Sequence, residues 1–226
     1  MREVSRHEEK YIVSTAAALM LRSRFRAALR QDSHAGPDGS YFIRSVYFDD
    51  RDYSAYHEKL SGTKERTKYR IRAYNMEFDR LLLEKKEKDG DLSGKLSAFL
   101  NREEAEALLY NGDLDWCAGQ PLTSEFAHLL RCGYQPAVLV DYDRFAYTYP
   151  VEDVRITLDT DVRTCPYTVD PFAWGLPMVP VLEEGECILE VKYNRFLPPQ
   201  LGWVLEGFPK QRMAVSKYVR CLSLLE

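Results

Sequence analysis

The sequence has 226 residues, enough for one large or two small domains and for a core that needs neither disulfides nor a structural metal. Its 31 Lys and Arg against 35 Asp and Glu give a net charge of −4, which argues against a nucleic-acid binder that works through overall positive charge. The five cysteines form no CxxC pair, which argues against a zinc site and a disulfide framework. No apolar run approaches the roughly 18–20 residues of a membrane span, so we expect a cytoplasmic protein with reduced thiols.

The predicted elements follow one another without a low-complexity linker or a fixed repeat, so we expect a single domain over residues 1–226. Alternation from Arg6 to Val13 predicts a first strand, and Ser14 suits the N-cap of a helix that ends near Leu29. Further strands are predicted at 41–48, 64–74, 79–88, 137–148, 153–163 and 186–193. Further helices are predicted at 52–60, at 102–110 with Asn101 as the candidate cap, and at 124–132. Helical segments are predicted at 198–207 and 213–225. Seven or eight strands, mostly consecutive and joined by short turns, predict an antiparallel α+β protein.

Charged side chains recur at every second position of several predicted strands. On strand 64–74 they are Lys64, Arg66, Lys68, Arg70 and Arg72. On strand 79–88 they are Arg80, Glu84, Lys86 and Lys88. Smaller sets occur elsewhere: Arg6, Glu8 and Lys10; Arg144, which shares its strand face with Tyr142; Glu186, Glu190 and Lys192. For any single strand, a solvated face explains the pattern equally well.

The repetition of this pattern over several strands favours an anion-binding site. Like charges on neighbouring strands destabilise a sheet unless an anion binds between them. Arginine holds phosphate oxygens with two parallel hydrogen bonds, so the expected ligand is polyphosphate-like. Glu8, Glu84 and Glu190 among the cations suit a divalent metal that bridges phosphates. The sequence therefore predicts a sheet curled around such a ligand, with solvated strand faces as the alternative.

Seven short blocks, from about residue 6 to residue 220, occur in an order and spacing typical of one known family. They are RHEEKY, SVYFDD, KYRIRAY, LLLEKKEKDGDLSGK, DYDRFAY, ILEVKY and VSKY. Through these blocks the chain resembles the VTC domain, the polyphosphate polymerase domain of the vacuolar transporter chaperone family. That domain is related to the CYTH proteins and the triphosphate tunnel metalloenzymes. The resemblance implies an α+β fold in which an antiparallel β-barrel forms a basic tunnel with flanking helices.

The resemblance also implies roles for thirteen residues. Catalytic contacts to phosphate fall to Lys10, Arg70, Arg72, Lys86, Arg144 and Lys217. Further phosphate binding falls to Arg6, Lys95 (in the loop after strand 79–88), Tyr142, Lys192 and Ser216, and metal binding to Glu190 and Glu8. Arg44, Lys64, Arg66, Lys68 and Arg163 fit either the tunnel mouth or a solvated surface. The tunnel metalloenzymes carry ExExK in the first strand; this chain has RxExK with Arg6 in the first place, which removes one candidate metal ligand and favours the VTC branch.

The implied reaction is a phosphotransfer in which the γ-phosphoryl group of ATP passes to a polyphosphate chain, with Mn²⁺ or Mg²⁺ as cofactor. Such a reaction needs fixed cations and an in-line arrangement rather than covalent help from the protein. A tripolyphosphatase, with Glu8 or Glu84 as the base that activates water, and a non-catalytic polyphosphate-binding module stay open as alternatives. The expected partners are ATP and inorganic polyphosphate, without nucleic acid and with membrane contact only through a separate protein. The sequence leaves nucleotide preference and oligomeric state open.

Overall fold

A computed structural model describes residues 6–90, 92–207 and 215–225 of the chain. The strands in this part are β1 (Arg6–Ser14), β2 (Arg30–Gln31), β3 (Ser40–Asp49), β4 (Glu65–Tyr74), β5 (Glu77–Asp89), β6 (Leu92–Leu100), β7 (Gln135–Tyr149), β8 (Val154–Pro166), β9 (Val179–Pro180) and β10 (Glu186–Tyr193). The α-helices are α1 (Thr15–Ala28), α2 (Ser54–Leu60), α3 (Arg102–Leu109), α4 (Pro121–Arg131) and α5 (Lys217–Leu222). Short 3₁₀ turns occupy Asp115–Gly119, Val151–Asp153, Pro199–Leu201 and Trp203–Leu205.

The described strands form one mostly antiparallel sheet with flanking helices, as the α+β prediction requires. Their order is β2-β7-β3-β4-β5-β6-β1-β10-β8-β9, and β7 also pairs with β8. The eight longer strands therefore follow one another in a closed circuit: β7, β3, β4, β5, β6, β1, β10 and β8. The pairing between β1 and β6 is short, with only Arg6 opposite Ser93 and His7 opposite Leu92 in the described chain.

Two of the three described core clusters lie on the outer face of this circuit, beneath α1, α3 and α4. The third packs α5 against β3 and β7 and includes Tyr47 and Tyr142, which line the interior cavity. Ile71 of β4 and Leu83 of β5 are buried in one cluster with Leu108 of α3 and Phe126 of α4. A second cluster brings α1 against β8 and β10, with Leu21, Phe25, Ile156, Leu158 and Leu189 among its members. Because side chains alternate along a strand, burying these residues outward turns their charged neighbours inward.

Local sequence signals correctly place the two best-capped helices. Ser14 accepts a hydrogen bond from the backbone amide of Ala17 at 3.2 Å at the start of α1. Asn101 accepts from the Glu104 amide at 2.9 Å, and the Glu104 carboxylate accepts from the Asn101 amide at 2.8 Å, which completes a capping box at α3. These side chains satisfy amides that a helix N-terminus leaves without partners, so the start of each helix is fixed locally.

Three predictions of local structure differ from the fold. The helical segment predicted at 198–207 is confirmed only in part, because it contains two 3₁₀ turns; Pro198, Pro199 and Gly202 disfavour a continuous α-helix. The segment of Lys95, predicted as a loop, is strand β6, in which Lys95 lies opposite Lys86. The C-terminal helix predicted from 213 begins at Lys217 and ends at Leu222, and residues 213 and 214 lie outside the described residues. Over the described ranges, none of the helices combines the length and apolar character that a membrane span requires.

Candidate functional site

A cavity of about 1400 Å³ is lined by side chains from all eight strands of the circuit. Its described wall contains sixteen Lys and Arg but only five Asp and Glu. All thirteen residues singled out in the sequence lie on this wall: Arg6, Glu8, Lys10, Arg70, Arg72, Lys86, Lys95, Tyr142, Arg144, Glu190, Lys192, Ser216 and Lys217. The structure thus brings these residues together, while their individual roles stay predictions. A wall with this excess of cations attracts anions with several charges.

The first group in the cavity surrounds two glutamates on neighbouring strands. Glu8 of β1 pairs with Lys10 at 2.8 Å and with Lys86 at 2.6 Å. Glu190 of β10 pairs with Lys192 at 2.7 Å and lies 3.7 Å from Lys10. The register places Lys10 directly opposite Glu190 across the antiparallel pair, which explains why one lysine reaches both carboxylates.

These contacts set the charge states of the two glutamates. Burial and the charge of Glu190 raise the pKa of Glu8, but Lys10, Lys86 and Lys192 outweigh them and hold that pKa well below its usual range. Burial likewise opposes ionisation of Glu190, and the same lysines hold its pKa well below its usual range. Burial, together with repulsion from Lys10 and Lys192, lowers the pKa of Lys86 to about 8, although Glu8 acts in the opposite direction. Both carboxylates are therefore anions at neutral pH.

The second group is built around Glu84 of β5, which is almost fully buried behind the cavity wall. Arg70 donates from Nε to Glu84 at 2.6 Å, Arg72 lies 3.5 Å away, and Lys95 of β6 donates at 3.1 Å. Burial raises the pKa of Glu84, but these three cations outweigh it and hold the pKa well below its usual range. A single buried anion thus fixes three cations from two neighbouring strands.

Tyrosines orient the two arginines further. Arg70 donates to the hydroxyl of Tyr47 at 2.7 Å, and Arg72 donates to the hydroxyl of Tyr142 at 3.0 Å. Arg72 also donates to Ser45 at 3.2 Å. Each guanidinium is therefore held in one orientation on the wall, which removes part of the entropy that binding an anion otherwise costs.

The third group joins the C-terminal helix to the cavity through Asp159 of β8. Arg144 of β7 donates from Nε and Nη2 to the two carboxylate oxygens of Asp159 at 2.6 and 2.7 Å. Lys217, the first residue of α5, donates to the same carboxylate. Burial opposes ionisation, but Arg144 and Lys217 lower the pKa of Asp159 to about 2. Ser216 lies beside this group, caps α5, and accepts a hydrogen bond from Lys68 at 3.1 Å.

Sequence reasoning missed Asp159, which is fully buried, and also missed Lys59 and Arg155, which line the cavity. Arg155 pairs with Asp32 at 2.7 Å and donates to Tyr41 at 2.9 Å. The signal for Asp159 was available, since Arg155, Thr157 and Asp159 alternate along β8 on one face. Lys59 comes from α2, a helix whose position depends on packing that the sequence pattern does not reveal.

The five residues predicted to lie either at the tunnel mouth or on the solvated surface occupy different parts of the fold. Arg66 and Lys68 line the cavity. Arg44 is buried on the outer face, where it forms two hydrogen bonds with Asp141 at 2.9 and 2.8 Å, so neither predicted location holds for it. Lys64 forms an exposed pair with Asp89, and Arg163 pairs with Asp161 at 3.3 Å, both away from the described cavity wall. Lys86 faces the cavity, whereas its neighbour Lys85 pairs with Glu125 at 2.7 Å.

Glu8 and Glu190 fit the needs of a divalent cation. In residues 6–90, 92–207 and 215–225, no cluster of three or more His, Cys, Asp or Glu could hold a metal by itself. Mg²⁺ sites in phosphate-transferring proteins commonly use only one or two carboxylates, and the phosphates of the substrate supply further oxygens. Glu8 and Glu190 are two ionised carboxylates that both contact Lys10, so they are the residues of the described wall that would hold such a cation.

Comparison with solved structures finds the same fold in distant proteins. The PH1012 protein of Pyrococcus horikoshii matches with 12% identity and a TM-score of 0.52, covering 96% of this chain and 99% of that chain. A conserved hypothetical protein of Pyrococcus furiosus matches with 13% identity and a TM-score of 0.51, over the same shares of the two chains. At such identities the likeness concerns the fold alone.

Comparisons of sequence identify the family. No curated protein matches this chain. The model of the VTC domain, in contrast, matches residues 5–226, nearly the whole chain, and includes every residue that the cavity places together. The chain therefore belongs to the VTC domain family.

Proposed function

We propose that residues 1–226 form a single tunnel domain, in which the closed circuit of strands is a barrel around a polyphosphate site. We further propose that the domain is a metal-dependent polyphosphate polymerase that transfers the γ-phosphoryl group of ATP to a polyphosphate chain. The observation that carries this proposal is the cavity wall, where sixteen Lys and Arg from eight strands and adjoining elements face five acids. Membership of the VTC family supports the same reaction.

In the proposed reaction, a terminal oxygen of the polyphosphate chain attacks the γ-phosphorus of ATP. The bond between the γ-phosphorus and the oxygen that bridges to the β-phosphate breaks, and ADP leaves with that electron pair. Arg70 and Arg72 neutralise phosphoryl oxygens with guanidinium groups that are already oriented by Glu84 and the tyrosines. Because these groups need not reorganise, their full electrostatic effect acts in the transition state. A divalent metal at Glu8 and Glu190, Mg²⁺ or Mn²⁺, would neutralise charge on the phosphates.

The state of the carboxylates favours transfer over hydrolysis. A water nucleophile profits from a general base whose pKa lies near the working pH. Glu8 and Glu84, the two candidate bases, have pKa values held well below their usual range. They are therefore weak bases, whereas the end of a polyphosphate chain is already ionised and needs none.

Phosphorus NMR of the purified protein with ATP and Mn²⁺ tests the proposal. We expect signals of internal polyphosphate phosphates to appear together with ADP. Free phosphate without polymer would instead identify a tripolyphosphatase. An unchanged spectrum, combined with tight binding of added polyphosphate, would identify a binding module, and absence of binding would refute the proposed site.

We propose that the chain works in the cytoplasm on ATP and inorganic polyphosphate, without nucleic acid. If the polymer crosses a membrane, we propose a separate membrane protein as the partner.

A further inference from the structure

Helix α1 is apolar on two faces, and the core of the protein uses one of them. The inner face buries Ala18, Leu21 and Phe25 against the sheet. The opposite face, which we name the α1 stripe, consists of exposed residues that are mostly apolar: Ala16, Leu19, Met20, Ser23 and Ala27. Leu19 and Met20 are 58% and 56% exposed. A surface helix normally turns polar side chains outward, so an adjacent exposed pair of this kind indicates a contact with a partner.

The segment that contains α1 is positively charged throughout. Residues 10–31 include one Lys and four Arg but neither Asp nor Glu. Three of these cations, Arg22, Arg24 and Arg26, belong to α1 itself. Because the whole chain has a net charge of −4, this segment is opposite in sign to the protein as a whole. An anionic partner is therefore the one that its charge favours.

The arginines of α1 stand on both sides of the α1 stripe. Arg22 and Arg26 are one turn apart, and both donate to the backbone carbonyl of Asp38 at 3.4 Å. Each residue turns the helix by about 100°, so Arg24 lies on the other side, where it donates to the backbone carbonyl of Glu206 at 2.7 Å. An apolar stripe between arginines is typical of helices that lie in a membrane interface. There the apolar side chains reach the acyl chains and the long cationic side chains reach the head groups.

A second copy of the chain and a folded protein partner fit the α1 stripe less well than a lipid surface. Two stripes facing each other across a twofold axis would bring arginines together with no acid on α1 to compensate them. A stable protein interface buries about 800 Å² on each partner, which is a large area for a face with two large apolar side chains. A lipid surface needs no matching shape, and each arginine near an anionic surface strengthens binding about fivefold. Trp203, 52% exposed in the 3₁₀ turn beside α1, is of a residue type enriched at membrane interfaces.

We propose that the α1 stripe binds this protein peripherally to an anionic lipid surface, with the axis of α1 in the plane of the membrane. The helix has 14 residues, fewer than the roughly 20 that a span requires, so it lies in the interface. Arg30, which follows α1, lines the cavity, so the bound protein holds one end of its cavity close to the lipid. The proposal goes beyond the proposed function, which assigns no membrane contact to this chain, and does not depend on it.

Co-sedimentation with lipid vesicles tests the apolar part of the α1 stripe. The vesicles contain phosphatidylcholine with about one phosphatidylserine in three lipids, or phosphatidylcholine alone. We expect the double substitution Leu19→Gln and Met20→Gln to weaken binding to the anionic vesicles about tenfold or more. Its thermal midpoint and its affinity for polyphosphate should not change, because both side chains are exposed and lie outside the described cavity wall.

The matched control is Trp174→Gln, which removes a larger and more exposed apolar side chain from another part of the surface. Trp174 is 77% exposed, and the segment around it packs on a different core cluster from that of α1. Nonspecific adhesion through exposed apolar groups would decrease in this variant as well. Binding through the α1 stripe should stay the same.

A second comparison tests the charge of α1. The unsubstituted protein should bind anionic vesicles at least about tenfold more tightly than neutral ones, and added salt should reduce the difference. Arg26→Gln should weaken binding to anionic vesicles about fivefold and leave binding to neutral vesicles unchanged. Arg26 is the suitable position because it is exposed, whereas the guanidinium of Arg22 covers the ring of Phe145 at 3.5 Å from its centre.

Three outcomes would overturn the proposal. The first is equal binding to both kinds of vesicle, or binding by the Leu19→Gln and Met20→Gln variant as tight as that of the unsubstituted protein. The second is loss of vesicle binding when tripolyphosphate is added at constant ionic strength, which would assign the lipid to the basic cavity. The third is a dimer that forms without lipid and that the double variant dissociates, which would assign the α1 stripe to a second copy of the chain. Each of these leaves the polymerase proposal intact, since that proposal is tested by phosphorus NMR without lipid.

Discussion

Replacing Asp159 with Asn tests the electrostatic reasoning most directly. The Asp159 side chain is fully buried and is the shared anion of Arg144 and Lys217. Asparagine has nearly the same shape but no charge, so the substitution leaves two cations, each at least nine-tenths buried, without this counter-ion. A buried charge without compensation is costly, whereas the loss of a surface pair is nearly neutral.

Two estimates bracket the expected loss of stability. Removal of one partner of a buried ion pair typically costs about 3–5 kcal/mol. Independently, the pKa of Asp159 is lowered from 3.8 to about 2, which corresponds to about 2.5 kcal/mol of favourable interaction. Because the folded-state pKa is depressed, this contribution is present above the unfolded pKa near 4 and is lost as the pH falls toward 2. We therefore expect Asp159→Asn to cost about 2.5–5 kcal/mol at pH 7 and less below pH 4.

Urea unfolding followed by tryptophan fluorescence measures this loss. The control is Glu106→Gln, which breaks an exposed pair with Arg102 on α3 and should change stability very little. Added tripolyphosphate should stabilise Asp159→Asn at least as much as the unsubstituted protein, because the anion compensates the cations that lost their partner. A loss of less than about 1 kcal/mol at pH 7, close to that of the control, would show that the buried cations do not depend on Asp159.

Three other predictions address the metal, Lys68 and a helix cap. Glu190→Gln should abolish metal-dependent turnover in phosphorus NMR while polyphosphate binding persists. Glu186→Gln, on the same strand, is the control. Turnover by Glu190→Gln equal to that of the unsubstituted protein would show that Glu190 is not a metal ligand. Since the pKa of Lys68 is lowered to about 7, the folded state favours the neutral amine, and the free energy of unfolding rises with pH above 7. Lys68→Met should reduce that rise between pH 7 and 8.5 by about 1–2 kcal/mol, whereas the control Lys64→Met should not. Identical pH profiles of the two variants would contradict the lowered pKa. Asn101→Ala should cost about 1 kcal/mol in urea unfolding without changing phosphate binding, and a loss of binding would mean that α3 supports the cavity.

Local patterns predicted those parts of the fold that local chemistry determines. Alternation located β1, β4 and β5 to within a few residues, and capping side chains located the starts of α1 and α3. Strand β6 escaped prediction because its sequence, LSGKLSAFL, contains a glycine and two serines that disfavour a strand. It forms because β5 offers a complete antiparallel edge, with nine residue pairs between Leu81 and Asp89 on one side and Leu92 and Leu100 on the other. Such a pairing is a tertiary effect, which a single segment does not display.

Alternation along the strands also made most of the cavity residues predictable, whereas residues placed by contacts between strands were not. A cation repeated at every second position reveals which face of a strand it shares, so Arg70 and Arg72 could be grouped from sequence. The pattern could not reveal which acid would hold them, because Glu84 reaches them only through the β4–β5 register. Arg44 shows the opposite failure: it lies on β3 but points to the outer face, where Asp141 of the neighbouring strand compensates it.

The distribution of charge explains how an acidic protein can hold a polyanion. The whole chain has a net charge of −4, while the described cavity wall carries eleven more cations than anions, so the rest of the chain carries fifteen more anions than cations. Favourable interaction with a polyanion is therefore concentrated at the cavity wall. Buried acids such as Glu84 and Asp159 make that interior stable without a ligand, because each holds several cations from behind the wall.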